Sequence, residues 1–237
     1  MTQNTYHISI IIPTYNEAQN IEILISELTN TLTHSDYQIL IIDDNSPDHT
    51  YDIVKAISMK KPNIYPIHRH RKMGLSSAIL DGFHKSSGSL IVIMDSDLSH
   101  QPSDLLPMLE AAANADIVIG SRYTKGGKII GWSFVRHIAS RTANWLSKTL
   151  IVTGVNDTTS GFAIFKRATL ESVSPLIKAK GFKFLLEVLA YSPNPKVIEI
   201  PITFANRTKG TSKFNIKEIL LFLRLCFWLY IRRLKLK

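Results

Sequence analysis

Residues 90–100 read Leu90-Ile91-Val92-Ile93-Met94-Asp95-Ser96-Asp97-Leu98-Ser99-His100. An apolar run rich in β-branched residues stops at two carboxylates one residue apart. Such a run fits a strand buried on both faces of a parallel sheet. Open α/β sheets bind their ligands beyond the carboxyl ends of the strands. There an Asp-x-Asp pair can hold a divalent cation through hard oxygen ligands, and the cation can neutralise a phosphorylated leaving group. Alone, the pair also fits a polar loop of solvated acids, so its neighbours decide its meaning.

The same run-then-polar pattern recurs on either side. Apolar runs at 8–12, 38–42, 64–68, 90–94 and 116–119 predict five strands. Helical spacing or helix-start residues predict helices over 20–32, 50–59, 74–85 and 102–113. The first strand is expected to stop before Pro13, because proline cannot continue a central ladder. Strict alternation of strand and helix over the first 120 or so residues predicts an α/β fold with a mostly parallel sheet. Beyond it, 125–131 reads as a basic, glycine-containing loop, 133–150 as a helix carrying Arg136, Ser140 and Arg141, and 163–166 as a strand. Helices follow at 169–177 and 184–190, then an extended segment at 197–204 and a basic loop at 207–213.

The 237 residues suit one large domain or two small ones, and 45% hydrophobic content is ample for a core. The net charge of +9 implies an anionic partner: nucleotide, phosphorylated substrate, lipid surface or nucleic acid. A single cysteine, Cys226, excludes an internal disulfide and fits a reducing compartment. Met1 to His7 is polar, and the run at 8–12 is too short for a signal peptide. No stretch reaches the ~20 apolar residues of a spanning helix. The tail, 216–237, has no Pro or Gly. It is too short in its apolar part to cross a membrane and suits an amphipathic helix lying at an interface. The alternative is a helix packed on the catalytic domain or on a partner.

Four polar clusters follow strands: Pro13 to Glu17, Asp43 to Asp48, Asp95 to Ser99 and Gly120 to Tyr123. In a parallel sheet these share one edge and converge. Together with Gly74-Leu75, Gly131-Trp132, Arg136 with Ser140, Ser160-Gly161-Phe162, and Arg207 with Gly210, Ser212 and Lys213, they resemble the family-two glycosyltransferases of the GT-A fold. The likeness is to the dolichol- or polyprenol-phosphate mannose synthase type. It implies a single GT-A catalytic domain at 1–215, Rossmann-like, with the amphipathic helix at 216–237.

The resemblance also implies roles. Pro13, Tyr15, Glu17, Asp44 and the backbone at Ile42 would hold the nucleoside, with Ser96 against the sugar nucleotide. Asp95 and Asp97 would hold Mg2+ or Mn2+, with Ser99 as third ligand where many relatives carry Gln. Arg122, Lys183, Arg207 and Lys213 would bind the donor's phosphates, and Arg136 and Ser140 the acceptor's phosphate. Asp97, Arg122 and Arg207 are the residues expected to matter most for catalysis. The partners implied are GDP-mannose, a polyprenyl phosphate lipid, a membrane surface on its cytoplasmic face and, in some relatives, a membrane subunit. Arginine suits such sites because its fork matches phosphate oxygens bidentately.

Other readings stand beside these. The donor could be a UDP-sugar such as UDP-glucose. The charge alone would allow nucleic-acid binding, but no nucleic-acid module is visible, and converging acids argue against one. Asp43 could be a turn carboxylate bonding local backbone. Arg69, Arg71 and Lys72, with His68 and His70, read as a solvated basic loop. Trp132 and Trp145 read as packing residues.

Overall fold

The strand Ile8–Thr14 (β1) is buried along its whole length. After it come helix Ile21–Thr31 (α1), strand Tyr37–Asp43 (β2), helix Thr50–Ser58 (α2), strand Ile64–His68 (β3), helix Leu75–Lys85 (α3) and strand Leu90–Ile93 (β4). A short 3-10 turn at Pro102–Asp104 leads into helix Leu105–Ala112 (α4) and strand Ile117–Ser121 (β5). The remaining elements are Lys128–Ile130 (β6), Phe134–Leu150 (α5), Ala163–Lys166 (β7), Arg167–Val173 (α6), Phe184–Tyr191 (α7), Val197–Pro201 (β8), Thr203–Ala205 (β9) and Ile216–Lys235 (α8). The computed structural model describes residues 6–152, 154–177, 183–206 and 216–235.

Seven strands form one sheet in the order β3-β2-β1-β4-β7-β5-β8. All pairings are parallel except those of β7, which runs antiparallel between β4 and β5. The period of two along the strands sorts the core into two layers. Ile10, Ile12, Ile39, Ile41 and Val92 pack with Leu24, Leu28, Val54 and Met108 of α1, α2 and α4. Ile11, Leu40, Ile42, Ile91 and Ile93 pack on the other face with Ile79, Phe83, Leu170 and Val188 of α3, α6 and α7. Each fully buried aliphatic side chain contributes on the order of 1.5–3 kcal/mol. The α3 helix lies so close to the sheet that a Cβ at Gly82 would meet Ile11 Cγ2 at 2.6 Å.

Two expectations from the sequence need correction. β1 does not stop before Pro13, and Pro13 pairs with Ile42 and Thr14 with Asp43. The Thr14 carbonyl accepts from Asp44 N, so Thr14 faces β2 and Pro13 faces the other way. On that side the pairing with β4 ends at Ile11 and Ile93, so the missing N–H falls beyond the ladder. The basic loop at 125–131 contains β6, which pairs in parallel with β9 as a separate two-stranded ribbon.

The chain winds outward from β1 through β2 to β3, then returns to place β4 on the other side of β1. That reversal opens a crevice beyond the carboxyl ends of β1 and β4, the kind of switch point where α/β sheets take ligands. The helices α5 and α8 lie against each other, and Phe222, Cys226 and Leu229 of α8 pack on Ile151 and Leu186.

Candidate active site

A cavity of about 540 Å³ occupies the switch point and runs from the tip of β1 to the α5–α8 pair. Its floor is the β4 tip. The side chain of Asp95 is about one-third exposed and Asp97 is buried. Both line the cavity with Ser96, whose hydroxyl donates to the Pro13 carbonyl at 3.2 Å and ties the two strand ends together. Leu98 bends the chain with φ 59, a conformation rare for a side chain of its shape, and Asp97 Oδ1 accepts from Ser99 N at 3.1 Å. Asp95 and Asp97 are hard oxygen donors facing one space, which fits a Mg2+- or Mn2+-type ion that draws its other ligands from phosphate and water. Among the described residues no group of three His, Cys, Asp or Glu could hold an ion alone.

The β1 and β2 tips form the next wall. Pro13, Tyr15, Glu17 and Asp44 line it. Glu17 Oε2 accepts from Asn20 Nδ2 at 2.7 Å, and Glu17 N donates to Thr50 Oγ1 at 3.0 Å. Asp48 stitches the two loops by accepting from Ala18 N and Thr50 N. Burial pushes its carboxyl up, but the Thr50 hydroxyl and these backbone bonds outweigh it and hold it below the usual range. Asp43 is buried and accepts from Ser46 N and Thr14 Oγ1, as a turn carboxylate does.

The basic segment that follows β3 is not wholly solvated. Arg69 is buried and pairs with Asp44 at 2.7 Å and Asp81 at 2.9 Å. Asp44 also accepts from Met73 N and Gly74 N. Its carboxylate therefore holds the 69–74 turn against β2 as well as facing the cavity. The turn delivers Lys72 over the Tyr15 ring, 3.4 Å from its centroid, a cation–π contact at the cavity wall. Nothing local in the sequence marks this placement, because Arg69 meets partners distant in the chain.

The β5 tip supplies Arg122, which is buried among the rings of Tyr123, Trp132 and Phe204. Its Nε and Nη2 donate to the two oxygens of Asp157 at 2.7 Å each, and Nη2 also donates to Thr159 Oγ1 at 2.9 Å. Burial opposes both charges. The pair wins, so the Asp157 carboxyl lies below its usual range and the Arg122 guanidinium above its own. Arg122 lines the cavity as expected of a phosphate-binding residue, and its charge is at the same time matched by Asp157. Glu199 supports the pair by accepting from Asp157 N at 2.9 Å.

The far end of the cavity is built by α5 and α8. Arg136, Ser140 and Lys183 line it beside Ala139, Ala143, Leu146, Phe222 and Leu223. Arg136 lies over the Trp132 ring at 4.0 Å and donates to Asn206 Oδ1 at 3.4 Å. Trp132 is half-buried in this wall, whereas Trp145 is 64% exposed on α5 and is not a packing residue. Two expected site residues do not reach the cavity. Ile42 is fully buried and its carbonyl accepts from Thr14 Oγ1. Ser99, expected as a third ligand, is fully buried and outside the cavity lining, its carbonyl accepting from Ala205 N. Arg207 and Lys213 lie outside the described residues.

Comparison with known proteins agrees with this geometry. The model of glycosyl transferase family 2 matches residues 9–173. The chain is 40% identical over 220 residues to the dolichol-phosphate mannosyltransferase of Pyrococcus furiosus, covering 92% of this chain and 62% of that protein. It is 36% identical over 220 residues to the polyprenol monophosphomannose synthase of Mycolicibacterium smegmatis, covering 88% of this chain and 82% of that protein. It thus spans less than two-thirds of the first relative and most of the second. A mannosyltransferase from Pyrobaculum calidifontis, solved with GDP-Man and Mn2+, superposes with a TM-score of 0.63 at 15% identity, covering 99% of this chain and 66% of that one, a likeness of fold. The strand-tip cavity, the matched family model and relatives at this identity make the chain a member of glycosyl transferase family 2, with a GT-A-like fold.

Proposed function

We propose that this glycosyltransferase moves mannose from GDP-mannose to a polyprenyl monophosphate, with inversion at the anomeric carbon. The observation that carries this reading is one cavity with a carboxylate pair at its floor and a cationic, then apolar, far end. The names of the two relatives support the donor sugar and the lipid acceptor.

Pro13, Tyr15 and Glu17 hold the nucleoside, with Lys72 beside Tyr15. Asp95 and Asp97 hold Mg2+ or Mn2+, which when bound neutralises charge on the departing GDP. Arg136 and Ser140 receive the acceptor phosphate, and Arg122 and Lys183 bind the donor's phosphates. The family likeness adds Arg207 and Lys213 to the phosphate-binding set. A phosphate monoester has a second pKa of about 6, so the acceptor is largely dianionic at neutral pH and needs little deprotonation. One of its oxygens forms a bond to the anomeric carbon as the bond to the GDP oxygen breaks. The protein's task is to bring two anionic groups within reach of each other and keep water out. Ala139, Ala143, Leu146 and Phe222 suit the acceptor's first isoprene units.

Incubation of the protein with labelled GDP-mannose, Mn2+ and a polyprenyl phosphate should yield a lipid-extractable mannosyl phosphate and GDP. UDP-glucose in place of GDP-mannose should yield none. Transfer from UDP-glucose alone would overturn the donor assignment, and no lipid product from either donor would overturn the reaction.

Residues 1–215 serve as the catalytic domain and 216–237 as its membrane-facing helix, acting peripherally on the cytoplasmic face. Among the described residues no helix is long and apolar enough to cross a membrane. The support for a peripheral contact is the set of exposed apolar side chains on α5 and α8. Phe134 is 78% exposed on α5 and Phe227 68% exposed on α8, with Val135, Leu220 and Leu223 also exposed. Burying one such side chain is worth roughly 1.5–3 kcal/mol. Replacing Phe134 and Phe227 by serine should therefore weaken binding to anionic vesicles by at least about tenfold per residue in a flotation assay. Undiminished flotation would remove these side chains from the proposal.

A further inference from the structure

The antiparallel strand β7 has a consequence for the carboxylate pair. Its register pairs Ala163 with Ile93 of β4. Two residues on from Ile93 and two residues back from Ala163, Gly161 lies against Asp95. Because β7 runs against its neighbours, its start lies at the edge where β1, β4 and β5 end. Ser160 fixes that start, donating to the Gly120 carbonyl at 2.7 Å and accepting from Phe162 N at 3.1 Å. A Cβ built on Gly161 would lie 2.9 Å from Asp95 Cγ and 3.0 Å from Oδ1, and closer still to Oδ2. Gly161 does not have a positive φ, so its backbone does not call for glycine. The demand is for space, and Asp95 fills that space.

A second neighbour of the same carboxylate is also fixed. His100 is fully buried, with Nε2 3.6 Å from Asp95 Oδ2. Its ring is held by Phe162 at 5.2 Å and Phe204 at 5.0 Å between centroids. We propose that Gly161, with His100 beside the same carboxylate, is a positioning residue that seats Asp95 against the cavity floor and so sets the affinity for the divalent cation. This rests on the reading of Asp95 as a metal ligand. Gly161 also lines the cavity, and in this proposal it acts through Asp95.

The test measures Mn2+ binding without turnover. Free Mn2+ is followed by electron paramagnetic resonance as the protein is titrated in the presence of GDP. Residues that support metal ligands typically change affinity by about 10–100-fold, and Gly161→Ala should weaken Mn2+ binding by that amount. The second measurement is a thermal double-mutant cycle. Gly161→Ala should lower the unfolding midpoint by a few degrees when Asp95 is present and by much less in an Asp95→Ala background, where the clash is gone. Equal Mn2+ affinity in wild type and Gly161→Ala would overturn the proposal, as would an equal loss of stability in both backgrounds. Wild-type protein that binds no Mn2+ would overturn the metal reading itself, and this proposal with it. The cycle reports the contact separately, so the two failures are distinguishable.

Discussion

Asp97→Asn should lower kcat/KM for mannosyl transfer by about a thousandfold while leaving the fold in place. The change removes the negative charge that, in our reading, grips the cation. It keeps an oxygen for the Ser99 N–H that Asp97 Oδ1 now receives at 3.1 Å. A cation stabilising charge on a leaving group is worth several kcal/mol, and roughly 4 kcal/mol corresponds to a factor of about 10³. Asp97→Ala should lose at least as much activity. It should also lose some stability, because it leaves the Ser99 N–H without that acceptor beside a buried side chain. Steady-state kinetics with saturating Mn2+, alongside thermal unfolding, checks both. Normal turnover in Asp97→Asn would mean the cation is held elsewhere.

The second large effect concerns stability. Asp157→Asn leaves the buried Arg122 guanidinium without its counter-charge. Removing one partner of a buried ion pair costs about 3–5 kcal/mol. For a chain of this size that is roughly 6–20 °C in the unfolding midpoint. The pH dependence has a defined sign. Burial raises the Asp157 carboxyl, but Arg122 and its hydrogen bonds lower it more, so the folded value lies below the unfolded value of about 3.9. The stabilisation is fully present above that unfolded value and is lost as pH falls through the depressed folded one. The gap between wild type and Asp157→Asn should therefore be wide at neutral pH and narrow below about pH 4. A gap that stays constant down to acid pH would show that the carboxylate's charge is not what matters.

Much of the architecture is legible in the residues because it is local. Residues 10–12, 39–42 and 90–94 are apolar at successive positions and rich in β-branched side chains, which fits a strand covered on both faces, and polar clusters end them. What escapes is non-local. The β6 strand is three residues, Lys128–Ile130, mostly exposed, and exists because β9 pairs with it. Arg69 and Lys72 look like members of one solvated loop, yet Asp44 and Asp81 bury the first and thereby aim the second at Tyr15. Asp157 carries no motif of its own and becomes visible only when β5 brings Arg122 onto it. Ser99 falls in the expected motif position, but it follows the Leu98 bend and is fully buried. Gly161 could have been suspected from Ser160-Gly161-Phe162, but its purpose depends on the antiparallel direction of β7.

The carboxylate pair at the switch point is the claim on which the rest stands. A crystal of the protein grown with GDP and Mn2+, with data collected at the manganese absorption edge, tests it directly. The expected result is one anomalous peak in the cavity, bound by Asp95 and Asp97 and by the diphosphate, with the guanosine against Tyr15. A peak bound by other residues, or GDP seated with no metal between it and those two carboxylates, would contradict it.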